Sequence, residues 1–533
     1  MKPVATVILI ILASTLVLLP DATAYAASSV QIVDSTGDVG DMPSLELDVA
    51  GNPVISYYDE TNDMLKIAHC DDPNCAPGGD SFATSQLYTT NNVGTWSSLE
   101  LDSAGNPVIS FHDVTLGALV VMHCNDANCV FPGDSFMIVD ATIGTGVGSG
   151  QGTSLELDAS GNPVVAYFDN TNDDLKVLHC NDPNCDPSVL TGNGPESITS
   201  PDTAGIVGIE PSLALDAVGN PVVSYADETN DMLRIMHCND PNCDPSVLTG
   251  NGPESITSPA AMNASPFHRH SPLVLDAAGN PVVAYHSGGG FLGVSIRVLH
   301  CDDPNCDGIG ESDTQPDPGF FFVWRPSLVL DSLGRPIIAY SSPISSDQFG
   351  LRIMHCDDAN CAGGGESVAD ADIAFPERSS LLLDANMDPV VAYYDGVYSG
   401  SANMDLKLLH CGDDNCAAVK DADGDGCPDV NEQQVAPNSE VNGGRRDRLN
   451  PHDYFNPTHD GLNRVDDILK LVDQYFIDDN DGNPGQPPYA AGYDPDTDRT
   501  LLGPNAWNLG PPDGLQRSQD IIHVVKQFFH DCP

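Results

Sequence analysis

The sequence has very little positive charge. It contains 20 lysines and arginines against 77 aspartates and glutamates, which gives a formal net charge of −57 over 533 residues. Such an acidic surface repels phosphate backbones and anionic lipid headgroups. The charge balance therefore argues against nucleic acids and membrane surfaces as partners.

Long apolar runs are absent beyond the N-terminus. There, Lys2 precedes the apolar run Val4–Leu19, and Ala24 and Ala26 place small residues at the two key cleavage positions. This pattern is typical of a secretory signal peptide, so we expect residues 1–26 to be removed. An uncleaved anchor is the weaker alternative, because the run is short for a spanning helix and no basic flank follows it. A secreted chain holds its cysteines where disulfides persist.

Several catalytic motifs are also missing. The sequence has no nucleophile elbow, no His-Glu-x-x-His helix and no phosphate-binding loop. No pair of carboxylates set for acid–base work stands out. These absences favour a non-catalytic protein for binding, adhesion or scaffolding, and the alternative is an extracellular glycan-active hydrolase or lyase.

One β-rich repeat dominates the chain. Its core phrase is Leu-x-Leu-Asp followed by a turn, which reads Gly-Asn-Pro in the first five copies. Successive copies begin 53 to 60 residues apart at Leu45, Leu99, Leu155, Leu213, Leu273, Leu328 and Leu381. Alternating apolar residues and polar turns predict four strands in each copy. In the first copy we place the strands around Leu45, Val54–Tyr58, Met64–His69 and Gln86–Thr89.

Seven copies of four antiparallel strands predict an all-β propeller over residues 27–418. A stacked solenoid is the rival architecture. The segment Val30–Asp34 resembles a fourth strand, whereas the seventh copy has none of its own. We therefore expect the N-terminal strand to complete the last blade, which hides two open sheet edges.

Each copy contains a Cys-x4-Cys segment preceded by histidine. In a secreted chain this spacing predicts a small disulfide loop, because paired metal motifs use shorter spacings. The predicted bridges are Cys70–Cys75, Cys124–Cys129, Cys180–Cys185, Cys238–Cys243, Cys301–Cys306, Cys356–Cys361 and Cys411–Cys416. A histidine repeated seven times predicts a scaffold residue with satisfied ring nitrogens: His69, His123, His179, His237, His300, His355 and His410.

The copies differ in the loop between their second and third strands, which is longer in the last three. Loops held by a rigid scaffold commonly carry binding sites. We therefore expect a site for an extracellular carbohydrate or protein ligand near these insertions, at Tyr285, His286, Tyr340, Tyr394, Asp395 and Tyr398. Tolerated insertion into surface loops explains the pattern equally well.

The Asp-x-x-Gly-Asn-Pro turn resembles the Asp-box hairpin of sialidase-type propellers. The aromatic residue that follows glycine in that pattern is missing here. Sialidases also need a cluster of arginines for the sugar carboxylate, and arginine is sparse in these repeats. The resemblance thus implies a propeller fold and carries over no catalytic residue.

A calcium-loop motif follows the last repeat. Its twelve residues place oxygen ligands at alternating positions and a glycine at the sharp turn, which is the pattern that holds Ca²⁺. The ligands are Asp421, Asp423, Asp425, Asp429, Glu432 and the backbone carbonyl of Cys427. Pro428 lacks the amide hydrogen that paired EF-hands exchange, so the loop resembles a thrombospondin type 3 repeat more than an EF-hand.

The tail, residues 419–533, contains a duplication of 53-residue period. Asp460–Phe476 and Asp513–Phe529 each join a loop to an amphipathic helix. This arrangement resembles the dockerin module, which implies calcium ligands at Asn456, Thr458, Asp460, Asp467, Asp513 and Asp520. The family also implies a cohesin-like partner, although the spacer here is longer than in dockerins. The two remaining cysteines, Cys427 and Cys532, are expected to form an eighth disulfide.

Overall fold

The computed structural model describes most of the repeat region. The described residues are 28–84, 92–130, 133–145, 152–188, 196–246, 254–262, 269–288, 295–317, 324–343, 349–362, 364–372, 376–396, 404–416, 500–501 and 509–510. The predicted signal peptide and the eighth disulfide lie outside them. Among the described residues, no helix is long and apolar enough to cross a membrane.

Seven four-stranded antiparallel sheets make up the described repeat region. The N-terminal strand is β1 (Ser29–Asp34). The strands of blades 1 to 3 are β2 (Val39–Leu47), β3 (Pro53–Asp59), β4 (Met64–His69), β5 (Ser81–Thr84), β6 (Val93–Leu101), β7 (Pro107–Asp113), β8 (Ala118–His123), β9 (Ser135–Asp140), β10 (Thr153–Leu157), β11 (Pro163–Asp169), β12 (Asp174–His179) and β13 (Ser197–Asp202).

The later blades repeat this order. Their strands are β14 (Val207–Leu215), β15 (Pro221–Asp227), β16 (Met232–His237), β17 (Ser255–Ala261), β18 (Leu273–Leu275), β19 (Pro281–Ser287), β20 (Ser295–His300), β21 (Ser312–Thr314), β22 (Trp324–Leu330), β23 (Pro336–Pro343), β24 (Phe349–His355), β25 (Ser367–Asp372), β26 (Pro376–Leu383), β27 (Pro389–Asp395) and β28 (Asp405–His410). In the tail, β29 (Thr500–Leu501) pairs with β30 (Leu509–Gly510).

The N-terminal strand closes the ring. Strand β1 pairs antiparallel with β28 and places Val30 opposite Leu409, so the last sheet has the order β1–β28–β27–β26. The backbone amide of Gly412 also donates to the Ser28 hydroxyl at 3.1 Å. The prediction of a closed seven-bladed propeller is confirmed, and the solenoid alternative is wrong.

The first strand of each blade lies nearest the propeller axis. The Leu99 amide of blade 2 donates to the Ser44 hydroxyl of blade 1 at 3.0 Å, and the Leu45 amide donates to Ser380 of blade 7 at 3.1 Å. The same contact joins Leu155 to Ser98. Neighbouring first strands therefore contact one another around the centre of the ring.

The fourth strand of blade 1 differs from the sequence prediction. It occupies Ser81–Thr84, where Ser81 pairs with His69. The predicted segment Gln86–Thr89 lies outside the described residues. The outer strand begins six residues after Cys75, and its weak apolar alternation does not mark this start in the sequence.

The histidines connect neighbouring blades on one face, and a disulfide closes the loop that follows each of them. His69 Nε2 lies 3.2 Å from Asp48 in the turn of its own blade, and its Nδ1 lies 2.9 Å from Asn128 in the next blade. His410 extends this ring of contacts from blade 7 back to Asn74 of blade 1, at 3.1 Å. The seven predicted disulfides are present, which excludes the metal alternative for these cysteines. Such bridges are typical of extracellular proteins.

Large aromatic residues fill the layers between the blades. The second strand of every blade contributes one aromatic side chain that is at most 1% exposed: Tyr57, Phe111, Tyr167, Tyr225, Tyr285, Tyr340 and Tyr393. The Tyr57 hydroxyl donates to Asp34 at 2.7 Å, and Lys66 forms an ion pair with the same carboxylate. A buried polar cluster thereby accompanies the apolar core.

Candidate functional site

The tyrosines predicted to bind ligand at the long loops belong in part to the core. Tyr285 is 1% exposed and Tyr340 is fully buried. Their hydroxyls donate to Asp313 at 2.9 Å and to Asp317 at 2.7 Å. Both occupy the aromatic position that all seven blades share, so neither ring presents a face to an incoming ligand.

The other predicted ligand residues have internal partners as well. His286 is fully buried, and Tyr394 and Asp395 are buried. The Tyr394 hydroxyl donates to Asp38 at 2.8 Å, and Asp395 lies 2.8 Å from the Lys407 ammonium. Tyr398 lies outside the described residues. A ligand site at these loops stays a prediction.

A different position converges on the propeller axis. It lies three residues before the repeated leucine, on the first strand of each blade, and holds a different chemistry around the ring: Met42, Trp96, Gly152, Glu210, His270, Arg325 and Arg378. All seven residues line one cavity of about 110 Å³. Since every blade contributes to its wall, this axial pocket surrounds the propeller axis.

A bulge in the first strand turns these side chains toward the axis. The pairing of β2 with β3 shifts register between Asp41 and Ser44. Met42, Trp96 and Glu210 take φ angles of 55°, 58° and 47°, in the left-handed region that non-glycine residues rarely adopt. β-Bulges commonly change the direction of side chains next to functional sites, and residues with strained backbone angles are also concentrated at such sites.

Blade 3 leaves a gap in the ring at Gly152. A Cβ atom built there would lie 3.3 Å from the Glu210 Cα and 3.4 Å from the Pro211 Cδ. A larger residue would therefore press against Glu210 and Pro211 in the wall of the cavity. Gly152 keeps that side of the axial pocket open.

Two arginines and a tryptophan form the charged wall of the axial pocket. The guanidinium of Arg325 lies 4.9 Å from the Trp96 ring centre, and that of Arg378 lies 4.6 Å from it. Arg325 also pairs with Glu210 at 2.8 Å, and Arg378 pairs with Asp41 behind the wall. Cation–π contacts and ion pairs therefore hold both guanidinium groups in fixed positions.

Glu210 has one oxygen without a protein partner. Glu210 is 2% exposed, and its Oε1 forms the ion pair with the Arg325 guanidinium. The second oxygen, Oε2, is buried and has no hydrogen-bond partner among the described residues. A buried carboxylate oxygen left unpaired is unfavourable for folding, so its retention at the pocket wall points to a role in binding.

His270 is a neutral imidazole in the axial pocket. Burial lowers its pKa, the charge of Glu210 opposes that shift, and the nearby charges of Arg325 and Arg378 reinforce it. Its Nδ1 lies 3.0 Å from the carbonyl oxygen of Pro326. A carbonyl only accepts hydrogen bonds, so Nδ1 carries the proton and Nε2 carries the lone pair.

Three glutamates lie together farther along the same strands. Burial and mutual repulsion raise the pKa of Glu46 to about 8 and that of Glu100 well above its usual range, and burial raises that of Glu156 to about 7. They occupy one equivalent position in blades 1 to 3, where the other blades have Ala214, Val274, Val329 and Leu382. Like charges this close do not all ionise at neutral pH.

The predicted calcium ligands lie outside the described residues: Asp421, Asp423, Asp425, Cys427, Asp429, Glu432, Asn456, Thr458, Asp460, Asp467, Asp513 and Asp520. Within the described part of the chain, the ligand atoms of Asp302, Asp303 and Glu311 lie within 4.8 Å of one another. Acidic groups at a surface often cluster in this way, so calcium stays a prediction for the tail.

No family model and no curated protein matches this sequence. An ulvan lyase from a new family of polysaccharide lyases is 12% identical with a TM-score of 0.40, over 71% of this chain and 95% of that one. A protein of unknown function from Dyadobacter fermentans DSM 18053 is 12% identical with a TM-score of 0.37, over 72% and 97%. An α-L-arabinofuranosidase from Lactobacillus brevis is 11% identical with a TM-score of 0.30, over 48% and 89%. Two of the three carry names of glycan-active enzymes.

Proposed function

We propose that this chain is an extracellular glycan-active protein and that the axial pocket is its active site. One observation carries the proposal: the position that converges on the axis differs chemically in each blade, apart from the two arginines, whereas the turns, histidines and disulfides repeat. Sevenfold repetition is what a scaffold requires. A site needs unlike groups around one point, and Trp96, Glu210, His270 and Arg325 supply them.

The lining of the axial pocket suits a sugar. An indole ring offers an apolar face on which a pyranose packs, while carboxylate, imidazole and guanidinium groups hydrogen-bond hydroxyls around the ring. The volume of about 110 Å³ is smaller than the roughly 150 Å³ cavity that holds one benzene ring. The axial pocket therefore takes one side of a sugar ring, and the rest of the glycan extends over the surrounding face.

The tail completes this proposal. The loop of residues 421–432 binds calcium, and the dockerin-like duplication attaches the propeller to a partner such as a cohesin-like protein. The spacing of the carboxylates in the sequence supports the calcium site. Secretion agrees with the seven disulfides and places the protein where extracellular glycans occur.

A glycan array combined with a degradation screen tests the site. Trp96→Ala should weaken binding of the glycan found by at least roughly tenfold, because the stacking surface is lost. Trp96→Phe retains an aromatic face and should restore part of the affinity. Phe82→Ala is the matched control, since Phe82 is 49% exposed on the outer strand β5.

Each variant is first checked for an unchanged melting temperature, so that loss of binding is not loss of fold. Glycan binding that Trp96→Ala leaves intact would remove the axial pocket as the site. Binding without any turnover would return the protein to the class of non-catalytic adhesins.

A further inference from the structure

We infer that the axial pocket cleaves an acidic, uronate-containing glycan by β-elimination, with His270 as the base. This inference rests on the proposed function and narrows it to one substrate class and one reaction. Its evidence is the donor set that lines the axial pocket. That set lacks the pair of carboxyl groups that hydrolysis requires and contains the guanidinium groups and the base that elimination requires.

Hydrolysis of a glycosidic bond uses two carboxyl groups on opposite sides of the bond. Among the described lining residues, Glu210 is the one carboxylate. The nearby Asp41 is 6% exposed, pairs with Arg378 and does not line the cavity. Glu60, whose pKa burial and then Asp41 raise to about 7, stands at the end of β3 and also lies outside the lining. The lining therefore does not provide the hydrolytic pair.

Two guanidinium groups favour a substrate with its own carboxylate. The propeller is strongly acidic, and each of the ten lysines and arginines in its described part pairs with an acid. Two of these cations nevertheless converge on one cavity, at Arg325 and Arg378. The planar guanidinium fork matches the geometry of a carboxylate, which makes arginine the preferred partner for such a substrate.

β-Elimination needs the uronate carboxylate neutralised and one base. With the carboxylate held by guanidinium groups, the adjacent C5–H becomes acidic enough for His270 Nε2 to remove its proton. The electron pair forms the C4=C5 double bond, and the C4–O4 bond breaks. The imidazolium of His270 then returns the proton to the departing O4. No water is consumed, and no oxidant or metal is required.

The orientation of His270 supports this role. The Pro326 carbonyl fixes the proton on Nδ1, so the lone pair of Nε2 is available at neutral pH. The charged groups around the imidazole are Glu210, Arg325 and Arg378. Burial and the two arginines lower its pKa, so the base stays neutral, and active, below the pH at which a free histidine becomes protonated.

Polygalacturonate, alginate and chondroitin serve as acidic probes, and arabinan serves as the neutral one. Elimination leaves an unsaturated end that absorbs ultraviolet light and weighs one water less than the hydrolytic product. His270→Gln should lower product formation by roughly a hundredfold or more while the dissociation constant changes little. His123→Gln is the matched control, because that imidazole belongs to the scaffold ring on the disulfide face.

The outcomes separate this inference from the proposed function. Unsaturated products from a uronate glycan, their loss in His270→Gln and a rate that rises with pH through a pKa below 6.5 would support the inference. Saturated products, cleavage of neutral arabinan alone, or uronate binding without cleavage would overturn it and leave axial glycan binding standing. Failure of every glycan to bind would overturn both.

Discussion

Blade 2 contains a buried carboxylate without the cation that the other blades provide. In blade 3, Asp169 is fully buried, and its Oδ2 lies 2.7 Å from the Lys176 ammonium. The equivalent Asp113 is also fully buried, but Val120 replaces the lysine. Oδ2 of Asp113 has no hydrogen-bond partner among the described residues. We predict that asparagine at these two positions has opposite effects on stability.

Asp113→Asn removes an uncompensated buried charge and keeps the Oδ1 that accepts from the Leu116 amide at 2.9 Å. We expect it to stabilise the propeller by about 1 kcal/mol, since leaving a buried charged group unsatisfied costs about 1–3 kcal/mol or more. Asp169→Asn instead removes one of the two carboxylates that contact the Lys176 ammonium, the other being Asp140 at 2.9 Å, and losing a hydrogen bond to a charged group costs about 1.5–3 kcal/mol. Urea unfolding with the disulfides intact measures both midpoints. Equal shifts, or a destabilised Asp113→Asn, would refute the assignment of Asp113 as unpaired.

The buried glutamates, the axial pocket and the calcium loop of the tail can each be tested separately. Glu156→Gln should flatten the pH dependence of stability. The pKa of Glu156 is raised from 4.5 to about 7 in the folded state, so the wild-type protein loses up to about 3 kcal/mol of unfolding free energy as the pH rises from 4.5 to above 7. An unchanged dependence of the melting temperature on pH in the variant would contradict this. Gly152→Val should fill the axial pocket and lower glycan binding by roughly tenfold without changing the far-ultraviolet circular dichroism spectrum. A calcium chelator should lower the melting temperature of the full chain, whereas no shift would reject the predicted loop at residues 421–432.

The scaffold was predictable because the sequence features that determine it repeat along the chain. Alternating apolar residues and cysteine spacing recur in all seven copies and the glycine turn in six, so the copies support one another as evidence for the repeat. Even the ring closure followed from a spare strand at Val30–Asp34 and a missing strand at the other end. The outer strand of blade 1 was misplaced because an edge strand half exposed to solvent has a weaker apolar pattern.

The axial pocket was not predicted, for a physical reason. Its residues sit in a bulge, where the strand departs from the two-residue period that sequence reasoning follows. The loop tyrosines attracted attention because they flank insertions, yet Tyr285 and Tyr340 occupy the conserved aromatic layer of the core. Aligning the seven copies and asking which position differs in nearly every one would have identified Trp96, Glu210 and His270 directly.

The variation at this position is chemically ordered around the ring. Blades 4 to 7 contribute Glu210, His270, Arg325 and Arg378, whereas blades 1 to 3 contribute Met42, Trp96 and Gly152. The ionisable half thus faces an apolar half with a gap, which is what a site needs to orient one face of a ring against charged groups. The same four blades carry apolar residues at the neighbouring glutamate position, and blades 1 to 3 carry Glu46, Glu100 and Glu156. The acidic cluster therefore belongs to blades 1 to 3, whereas the arginines come from blades 6 and 7 and pair with Glu210 and Asp41, so the two sets of charges occupy different blades around the axis.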